Sequence, residues 1–369
     1  MEFRGHVLSE KATTLPREHY VSAEVFAKEQ ERIFRNRWIA AGRADRLRAT
    51  GEYALAEVAG ESLILVRDAD ERLRAFYNVC RHRGTRLCAE ESGRLGKAIV
   101  CPYHSWSYGF DGALVAAPNM EDVPWFDRGD QSLFAAGVGT WQGFLFVHLG
   151  RRPPPLDEAL RNLESRFARW NLARLATVRR IGYDVAANWK LLFQNFSECL
   201  HCPPVHPALA RLSHYKSGAN DLREGPVLGG YMTIDAAGGS LTTTGRMCGA
   251  PLGELDDADR GRVYYYSVFP GFFLTIQPDF VMSTRVTPLA VDRTRVECEW
   301  HFAPETLDDP AFDPTDGVAL WDTTNRQDWR VCELAQQGVT SRAYVPGLYS
   351  RQESLLAAFD REYLKSLES

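Results

Sequence analysis

The sequence of 369 residues contains no apolar run approaching the roughly 18 residues that a membrane-spanning helix needs. Its first residues, MEFRGHVLSEKATT, also lack the apolar segment of a secretory signal peptide. The net charge of −5 argues against a protein that binds nucleic acid. We therefore expect a cytoplasmic globular protein that binds neither a membrane nor a nucleic acid.

The cysteines do not form the close spacing of a disulfide framework. They are dispersed at positions 80, 88, 101, 199, 202, 248, 298 and 332. A reducing compartment fits this pattern. Hydrophobic and charged contents of 45% and 25% are ordinary for a globular protein, and the length predicts two or three domains.

The most informative stretch runs from Cys80 to His104, where two short clusters each supply one Cys and one His. They read Cys80-Arg-His82 and Cys101-Pro-Tyr-His104. Structural zinc sites usually open with two close Cys and place both His at the other end. The order found here is typical of a Rieske [2Fe–2S] centre, in which two Cys hold one iron and two His hold the other. A zinc knuckle is the alternative.

Strand patterns surround these clusters, and Pro153-Pro154-Pro155 marks the clearest boundary in the chain. We predict an arm and helix over residues 1–44, a small antiparallel β domain over 45–152, and a mixed second domain over 153–369. The second domain opens with a helix whose apolar residues run from Leu156 to Trp170. Six strands follow, predicted at 177–185, 229–234, 263–268, 272–277, 280–286 and 294–301, and then a long helix at 317–337.

A second candidate metal site lies in the segment from Asn188, a good N-cap, to His206. Asn195, Glu198 and His201 recur every three residues and are predicted to share a helix face. Pro203-Pro204 should end that helix, so that His206 can turn back towards His201. Two His and one carboxylate form the facial site of non-haem Fe(II) oxygenases.

The third ligand should be a carboxylate on the buried face of the long helix. Asp328 is the one charge on the face that carries Trp321, Thr324 and Cys332, and a buried lone carboxylate needs a partner or a metal. Glu333 is the second candidate. The alternative is an Asp on the surface.

Together, CRHRG, CPYHSW and the Asn188 segment resemble the α subunits of Rieske non-haem iron (ring-hydroxylating) oxygenases. The family motif falls on Asn188-Trp-Lys190, Gln194-Asn195, Glu198, Leu200-His201 and His206, although Gln194 and Leu200 replace the usual Glu and Tyr. The resemblance implies an α+β fold that pairs the Rieske domain with a helix-grip (START-like) domain, built of an antiparallel sheet and a long C-terminal helix.

The resemblance also implies the cofactors, a [2Fe–2S] cluster and Fe(2+), the latter held by His201, His206 and Asp328. It implies electrons from NAD(P)H through a separate reductase or ferredoxin, and a homotrimer in which Glu198 links the Rieske His of one subunit, by family pattern His104, to the iron site of its neighbour. Arg81, Arg83 and Arg86 could dock the reductase, or they could be solvated loop residues.

With a Glu at position 198, the sequence resembles the branch of the family that acts on glycine betaine, carnitine, choline and stachydrine. That likeness implies O2-dependent hydroxylation of an N-methyl carbon, followed by loss of formaldehyde. Aromatic ring or side-chain hydroxylation is the alternative, by mono- or dioxygenation. An electron carrier with a non-catalytic ligand-binding domain is a more distant one.

Aromatic residues of the second domain could form a substrate pocket that binds a methylated ammonium group by cation–π attraction. Alternating aromatics in a strand are also typical of a core. The candidate pocket residues are Phe193, Tyr264, Tyr266, Phe269 and Phe273.

Overall fold

The computed structural model describes residue 8 and residues 10–163 and 165–368. The chain divides into two compact units, one made of residues 34–159 and the other of residues 1–33 and 160–369. In the larger unit, Glu29 connects the N-terminal segment to the segment that carries Trp189 and Lys190. Its carboxylate accepts hydrogen bonds from both of these side chains. The division between the two units falls between Ile33 and Phe34, inside the range predicted as an arm and helix.

The smaller unit is an antiparallel β domain. Its strands are β1 (Ile39–Arg43), β2 (Glu52–Val58), β3 (Glu61–Arg67), β4 (Leu73–Tyr77), β5 (Ser92–Arg94), β6 (Ile99–Val100), β7 (Ser107–Tyr108), β8 (Leu114–Ala116), β9 (Ala135–Trp141) and β10 (Phe144–His148). Seven of them form a sheet in the order β1-β10-β9-β4-β3-β2-β5, and β6-β7-β8 form a second sheet. A cluster of buried side chains that includes Ile64, Phe76 and Tyr108 joins the two sheets around the Cys80 and Cys101 loops.

The larger unit contains one seven-stranded antiparallel sheet in the order β11-β17-β16-β15-β14-β13-β12. Its strands are β11 (Ala176–Val185), β12 (Ala219–Leu222), β13 (Val227–Thr233), β14 (Arg262–Val268), β15 (Phe272–Ile276), β16 (Val281–Ala290) and β17 (Arg293–Phe302). The six predicted strands are all present, and β12 was not predicted. The α+β class and the antiparallel sheet are confirmed.

The α-helices in chain order are α1 (Glu18–Val21), α2 (Ala23–Glu29), α3 (Leu156–Ala159), α4 (Trp189–Phe196), α5 (Cys202–Val205), α6 (Pro207–Leu212), α7 (Asp257–Arg260), α8 (Pro304–Leu307), α9 (Thr315–Val339) and α10 (Ser354–Glu368). The long helix α9 matches the prediction to within two residues at each end. Within the described ranges, no helix is long and apolar enough to cross a membrane.

The helix predicted from Leu156 to Trp170 is wrong. That segment forms the four-residue α3, followed by short 3₁₀ turns at Arg161–Leu163 and Ala168–Trp170. Buried apolar residues three apart, such as Phe167 and Trp170, suit the three residues per turn of a 3₁₀ helix as well as they suit an α-helix. The apolar spacing alone therefore did not distinguish the two.

Candidate metal centres

The two ligand loops of the smaller unit have closely similar backbones. Cys80 follows β4 and its carbonyl accepts a hydrogen bond from the N–H of Gly84, while Cys101 follows β6 and its carbonyl accepts one from Ser105. Gly84 and Ser105 both have a positive φ, 73° and 60°, which closes each turn tightly. Each loop thus projects one thiol and one imidazole from a five-residue turn.

The four predicted ligands differ in how deeply their side chains are buried. Cys80 and Cys101 are 3% and 2% exposed, whereas His82 lies on the surface and His104 is partly exposed. The imidazole centroids are 4.8 Å apart, and His82 stacks on Trp106. Two buried thiols and two outer imidazoles fit the donor set of a Rieske cluster, which these four residues would hold.

Tyr108 extends this arrangement. Its hydroxyl oxygen lies 3.3 Å from the Cys80 sulfur and accepts a hydrogen bond from the Arg81 N–H. Burial, with a smaller contribution from the neighbouring Cys101 thiol, raises the pKa of Cys80. A thiol of raised pKa needs bound metal to become the thiolate ligand.

The second centre begins at α4, where the predicted N-cap is confirmed because the Asn188 side chain accepts the Lys190 N–H. The helix, however, ends at Phe196, so Glu198 and His201 do not share a helix face with Asn195. The Glu198 carboxylate accepts the backbone N–H groups of Leu200 and His201. Such local bonds from side chain to backbone compete with helical ones and form a turn instead.

His201, His206 and Asp328 converge despite this different local structure. Their potential ligand atoms all lie within 4.8 Å of one another. Oδ1 of Asp328 is 3.2 Å from Nε2 of His201 and 2.8 Å from Nε2 of His206. Three ligands of this kind, grouped on one side, match the two-His, one-carboxylate donor set that suits Fe(II) and leaves coordination positions open.

The other nitrogen of each imidazole is held by an acceptor. Nδ1 of His201 lies 2.6 Å from Oε1 of Glu198, and Nδ1 of His206 lies 2.8 Å from Oε1 of Gln327. Donation from both Nδ1–H groups leaves both Nε2 lone pairs for a metal. Sequence reasoning did not identify Gln327, and no pattern in the sequence marks it apart from its position next to Asp328.

The charges at this site favour a cation. Burial lowers the pKa of His201, but the hydrogen bonds and charges of Asp328 and Glu198 outweigh it and raise that pKa to about 10. Burial acts to raise the pKa of Asp328, yet its hydrogen bonds with the two imidazoles hold that pKa below its ordinary range. The pair of carboxylates therefore stabilises positive charge, and a divalent metal ion can supply it.

Two further contacts surround His201. The Asn195 amide nitrogen is 3.5 Å from Nε2 of His201, which places this predicted residue at the edge of the metal site. Cys199 and Cys202 form a disulfide that spans the His201 turn. That pairing was not predicted, because the cysteines of the chain as a whole are dispersed.

A cavity of about 150 Å³ opens beside the three ligands, between α9 and the sheet. None of the five aromatic residues predicted for its wall borders it. They are Phe193, Tyr264, Tyr266, Phe269 and Phe273, and all are at least 93% buried. Successive side chains of a strand point to opposite faces of the sheet. On β14, Tyr265 faces the cavity, so its neighbours Tyr264 and Tyr266, which were predicted to line it, point to the other side.

The aromatic residues that do border the cavity come from several elements. They are Phe196, Tyr215, Tyr231, Tyr265, Trp321 and Trp329. Burial and the nearby Asp328 carboxylate raise the pKa of Tyr265, so its hydroxyl stays neutral at physiological pH. The wall thus combines aromatic residues with neutral polar groups and the carboxylates of Glu198 and Asp328.

Two protein-family models match the chain. Residues 37–127 match the Rieske [2Fe–2S] domain, and residues 172–369 match the ring-hydroxylating α subunit catalytic domain, which is more than half of the chain. The glycine betaine monooxygenase oxygenase subunit of Chromohalobacter salexigens is 31% identical, over 92% of this chain and 82% of that protein. The carnitine monooxygenase oxygenase subunit of Escherichia coli K12 is 29% identical, over 91% and 86%.

Solved structures show the same architecture. The quaternary ammonium Rieske monooxygenase CntA in complex with its substrate L-carnitine superposes with a TM-score of 0.81 at 25% identity, covering 96% of this chain and 95% of that one. Inter-subunit electron transfer is described for that enzyme. Naphthalene 1,2-dioxygenase from Rhodococcus sp., at 19% identity and a TM-score of 0.78 over 96% and 94% of the two chains, shares the fold.

Proposed function

Because this chain belongs to the Rieske-type ring-hydroxylating oxygenase α subunits, we propose that it is a terminal oxygenase that removes an N-methyl group from a quaternary ammonium compound. The observation that carries the proposal is the convergence of His201, His206 and Asp328 beside an aromatic cavity. An electron carrier without catalysis would need neither the three ligands nor the cavity.

The two cofactors would be held by separate residue sets. Cys80, His82, Cys101 and His104 would hold the [2Fe–2S] cluster, and His201, His206 and Asp328 would hold the iron. When bound, the cluster supplies single electrons and the iron supplies activation of O2. The electrons would come from NAD(P)H through a reductase or ferredoxin.

The surrounding side chains would keep the ligands in the required protonation state. Glu198 and Gln327 would each hold the proton of one imidazole at Nδ1, so that Nε2 stays available. The Asn195 amide, 3.5 Å from Nε2 of His201, would limit the rotation of that ring. These contacts leave one side of the ligand set open to the cavity.

Assembly would complete the electron path. We propose a homotrimer in which Glu198 of one subunit lies between its own His201 and His104 of the neighbouring subunit. The contact between Glu198 and His201 within one chain supports half of that bridge. A sedimentation measurement should give three times the mass of one chain.

The substrate proposal is supported by the relatives and by the cavity wall. Relatives are named for glycine betaine, carnitine and choline. Aromatic faces such as Tyr265 and Trp321 attract a methylated ammonium group, each contact contributing roughly 0.5–2 kcal/mol.

The proposed reaction consumes one O2, two electrons and two protons for each methyl group. One oxygen atom enters a C–H bond of an N-methyl carbon, and the other leaves as water. The resulting N-hydroxymethyl group releases formaldehyde, and the amine that remains is tertiary and protonated.

The test begins with iron and labile sulfide in anaerobically purified protein. About three irons and two sulfides per chain, with Rieske absorption, are expected. NADH and O2 consumption with a surrogate reductase should then depend on a quaternary ammonium compound and yield formaldehyde. If only aromatic compounds support coupled turnover, ring or side-chain hydroxylation replaces N-demethylation as the proposed reaction. If the protein holds two irons per chain and added Fe(II) does not raise that number, the protein is better explained as an electron carrier.

A further inference from the structure

We propose that the substrate carries an uncharged polar group, such as a hydroxyl or an amide, at the end remote from the reacting methyl, and not a carboxylate. This inference rests on the proposed function, and it concerns the far wall of the same cavity. It separates this chain from enzymes whose substrates are zwitterionic betaines.

The far wall is set by the register of the sheet. Gly230, Tyr265, Thr275 and Met282 are direct cross-strand partners on β13, β14, β15 and β16. Directly paired residues point to the same side of a sheet. All four border the cavity, so this row forms its floor opposite α9.

Two buried polar atoms on the wall have no hydrogen-bond partner. They are the Thr275 hydroxyl oxygen and the Trp329 indole nitrogen, in side chains that are 1% and 9% exposed. Trp321 differs, because its indole N–H already donates to the Leu241 carbonyl. Since an unpaired buried polar group is costly, the Thr275 hydroxyl on this floor is suited to a neutral ligand group that donates or accepts, whereas Trp329 lies on α9 next to Asp328.

The wall offers no cation for a carboxylate. Among the described residues that border the cavity there is no Lys or Arg, and the acidic ones are Glu198 and Asp328. Even a divalent metal bound at Asp328 only balances those two negative charges. A carboxylate on the substrate would therefore enter a site that lacks a charged partner, at a large desolvation cost.

Two cations approach the wall from behind. The Arg262 guanidinium lies 3.9 Å from the Tyr231 ring centroid, and the Lys216 ammonium lies 5.3 Å from that of Tyr215. Neither Arg262 nor Lys216 borders the cavity. Lys216 remains the cation to test, since it has a flexible stem.

The experiment compares substrates of nearly equal shape. Glycine betaine and its carboxamide differ in charge at one group, as do carnitine and carnitine amide. With the holoenzyme and a surrogate reductase, we expect kcat/KM from formaldehyde release to favour each amide by about tenfold or more. A preference for the carboxylates would overturn the inference while leaving N-demethylation intact. Activity on neither member of any pair would instead contradict the proposed function.

Variants then test which residue recognises the uncharged polar group of the substrate. Thr275→Val keeps the side-chain shape and should reduce the preference for betaine amide over an alkyltrimethylammonium of equal length. The control is Thr284→Val, another buried threonine, whose hydroxyl lies 3.4 Å from the Cys298 sulfur and does not border the cavity. Equal effects of the two variants would contradict the role of Thr275. Loss of betaine activity in Lys216→Met would show that Lys216 reaches a carboxylate and would also overturn the inference.

Discussion

Glu198 holds His201 by its ring and by its backbone at once. Oε1 of the carboxylate lies 2.6 Å from Nδ1 of the imidazole, and Oε2 accepts the backbone N–H of the same residue at 3.3 Å. One acidic side chain therefore fixes both the turn that carries His201 and the orientation of its ring. A substitution at position 198 can remove the negative charge and still leave an acceptor that orients the His201 ring.

Glu198→Gln should retain iron but slow turnover. The amide oxygen can still accept from Nδ1, so the ring stays oriented, whereas the negative charge that stabilises the imidazole is lost. We expect about 10- to 100-fold lower kcat with unchanged iron and sulfide content. The measurement is coupled O2 consumption alongside metal analysis.

Glu224→Gln is the matched control, since Glu224 is exposed and does not border the cavity. It should leave both turnover and iron unchanged. Full activity of Glu198→Gln would remove Glu198 from the electron path, and loss of its iron would make Glu198 important for metal binding instead.

Gln327→Met should weaken iron binding. Gln327 and Asp328 are consecutive on α9 and contact the two nitrogens of His206. Without the Gln327 acceptor, the imidazole can adopt the tautomer that places its proton on Nε2, where it blocks the metal. We expect about 10- to 100-fold lower Fe(II) affinity, measured by competition with a chelator.

Gln337→Met provides the comparison, because Gln337 is an exposed residue of the same helix. It should bind Fe(II) as the unmodified protein does. Equal affinity in both variants would contradict the role of Gln327 in selecting the tautomer.

The ligand types were predictable from the sequence, whereas the pocket wall was not. Short, rigid spacings such as Cys80-Arg-His82 constrain the backbone locally, and the order of donors in two such loops is informative by itself. Asp328 was predictable because a lone charge on an apolar helix face needs a partner. Its proximity to His206 depends on how α9 packs, and only the structure supplies that.

The errors arose where tertiary contacts decide between similar local options. Choosing Tyr264 and Tyr266 over Tyr265 was an error of one residue, which reverses the face of a strand. Ending α4 at His201 ignored the competition of the Glu198 carboxylate for backbone N–H groups. Gln327 was missed because a neutral residue next to a ligand has no distinguishing pattern.

Tyr108→Phe should lower the reduction potential of the cluster. The Tyr108 hydroxyl can donate to the Cys80 sulfur at 3.3 Å, and such a bond strengthens when the cluster gains negative charge on reduction. A strengthening of about 1 kcal/mol corresponds to about 40 mV for one electron. A redox titration monitored by electron paramagnetic resonance would measure the negative shift.

Tyr77→Phe serves as the reference, since the Tyr77 hydroxyl donates to the Leu149 carbonyl in another part of the same β domain. Its potential should match that of the unmodified protein. A Tyr108→Phe potential that does not move would mean that its hydroxyl donates elsewhere.

Asp328→Ala should remove the mononuclear iron and leave the cluster in place. Iron should fall from about three to about two atoms per chain while sulfide stays at about two. The comparison is Glu333→Ala, the other carboxylate that the sequence offered as a third ligand, whose Oε1 accepts the Ala186 N–H at 3.3 Å. If Glu333→Ala lost the iron and Asp328→Ala kept it, Glu333 and not Asp328 would be the third ligand. Because the cluster is held by the other unit, unchanged Rieske absorption in Asp328→Ala would also show that the two metal centres load independently.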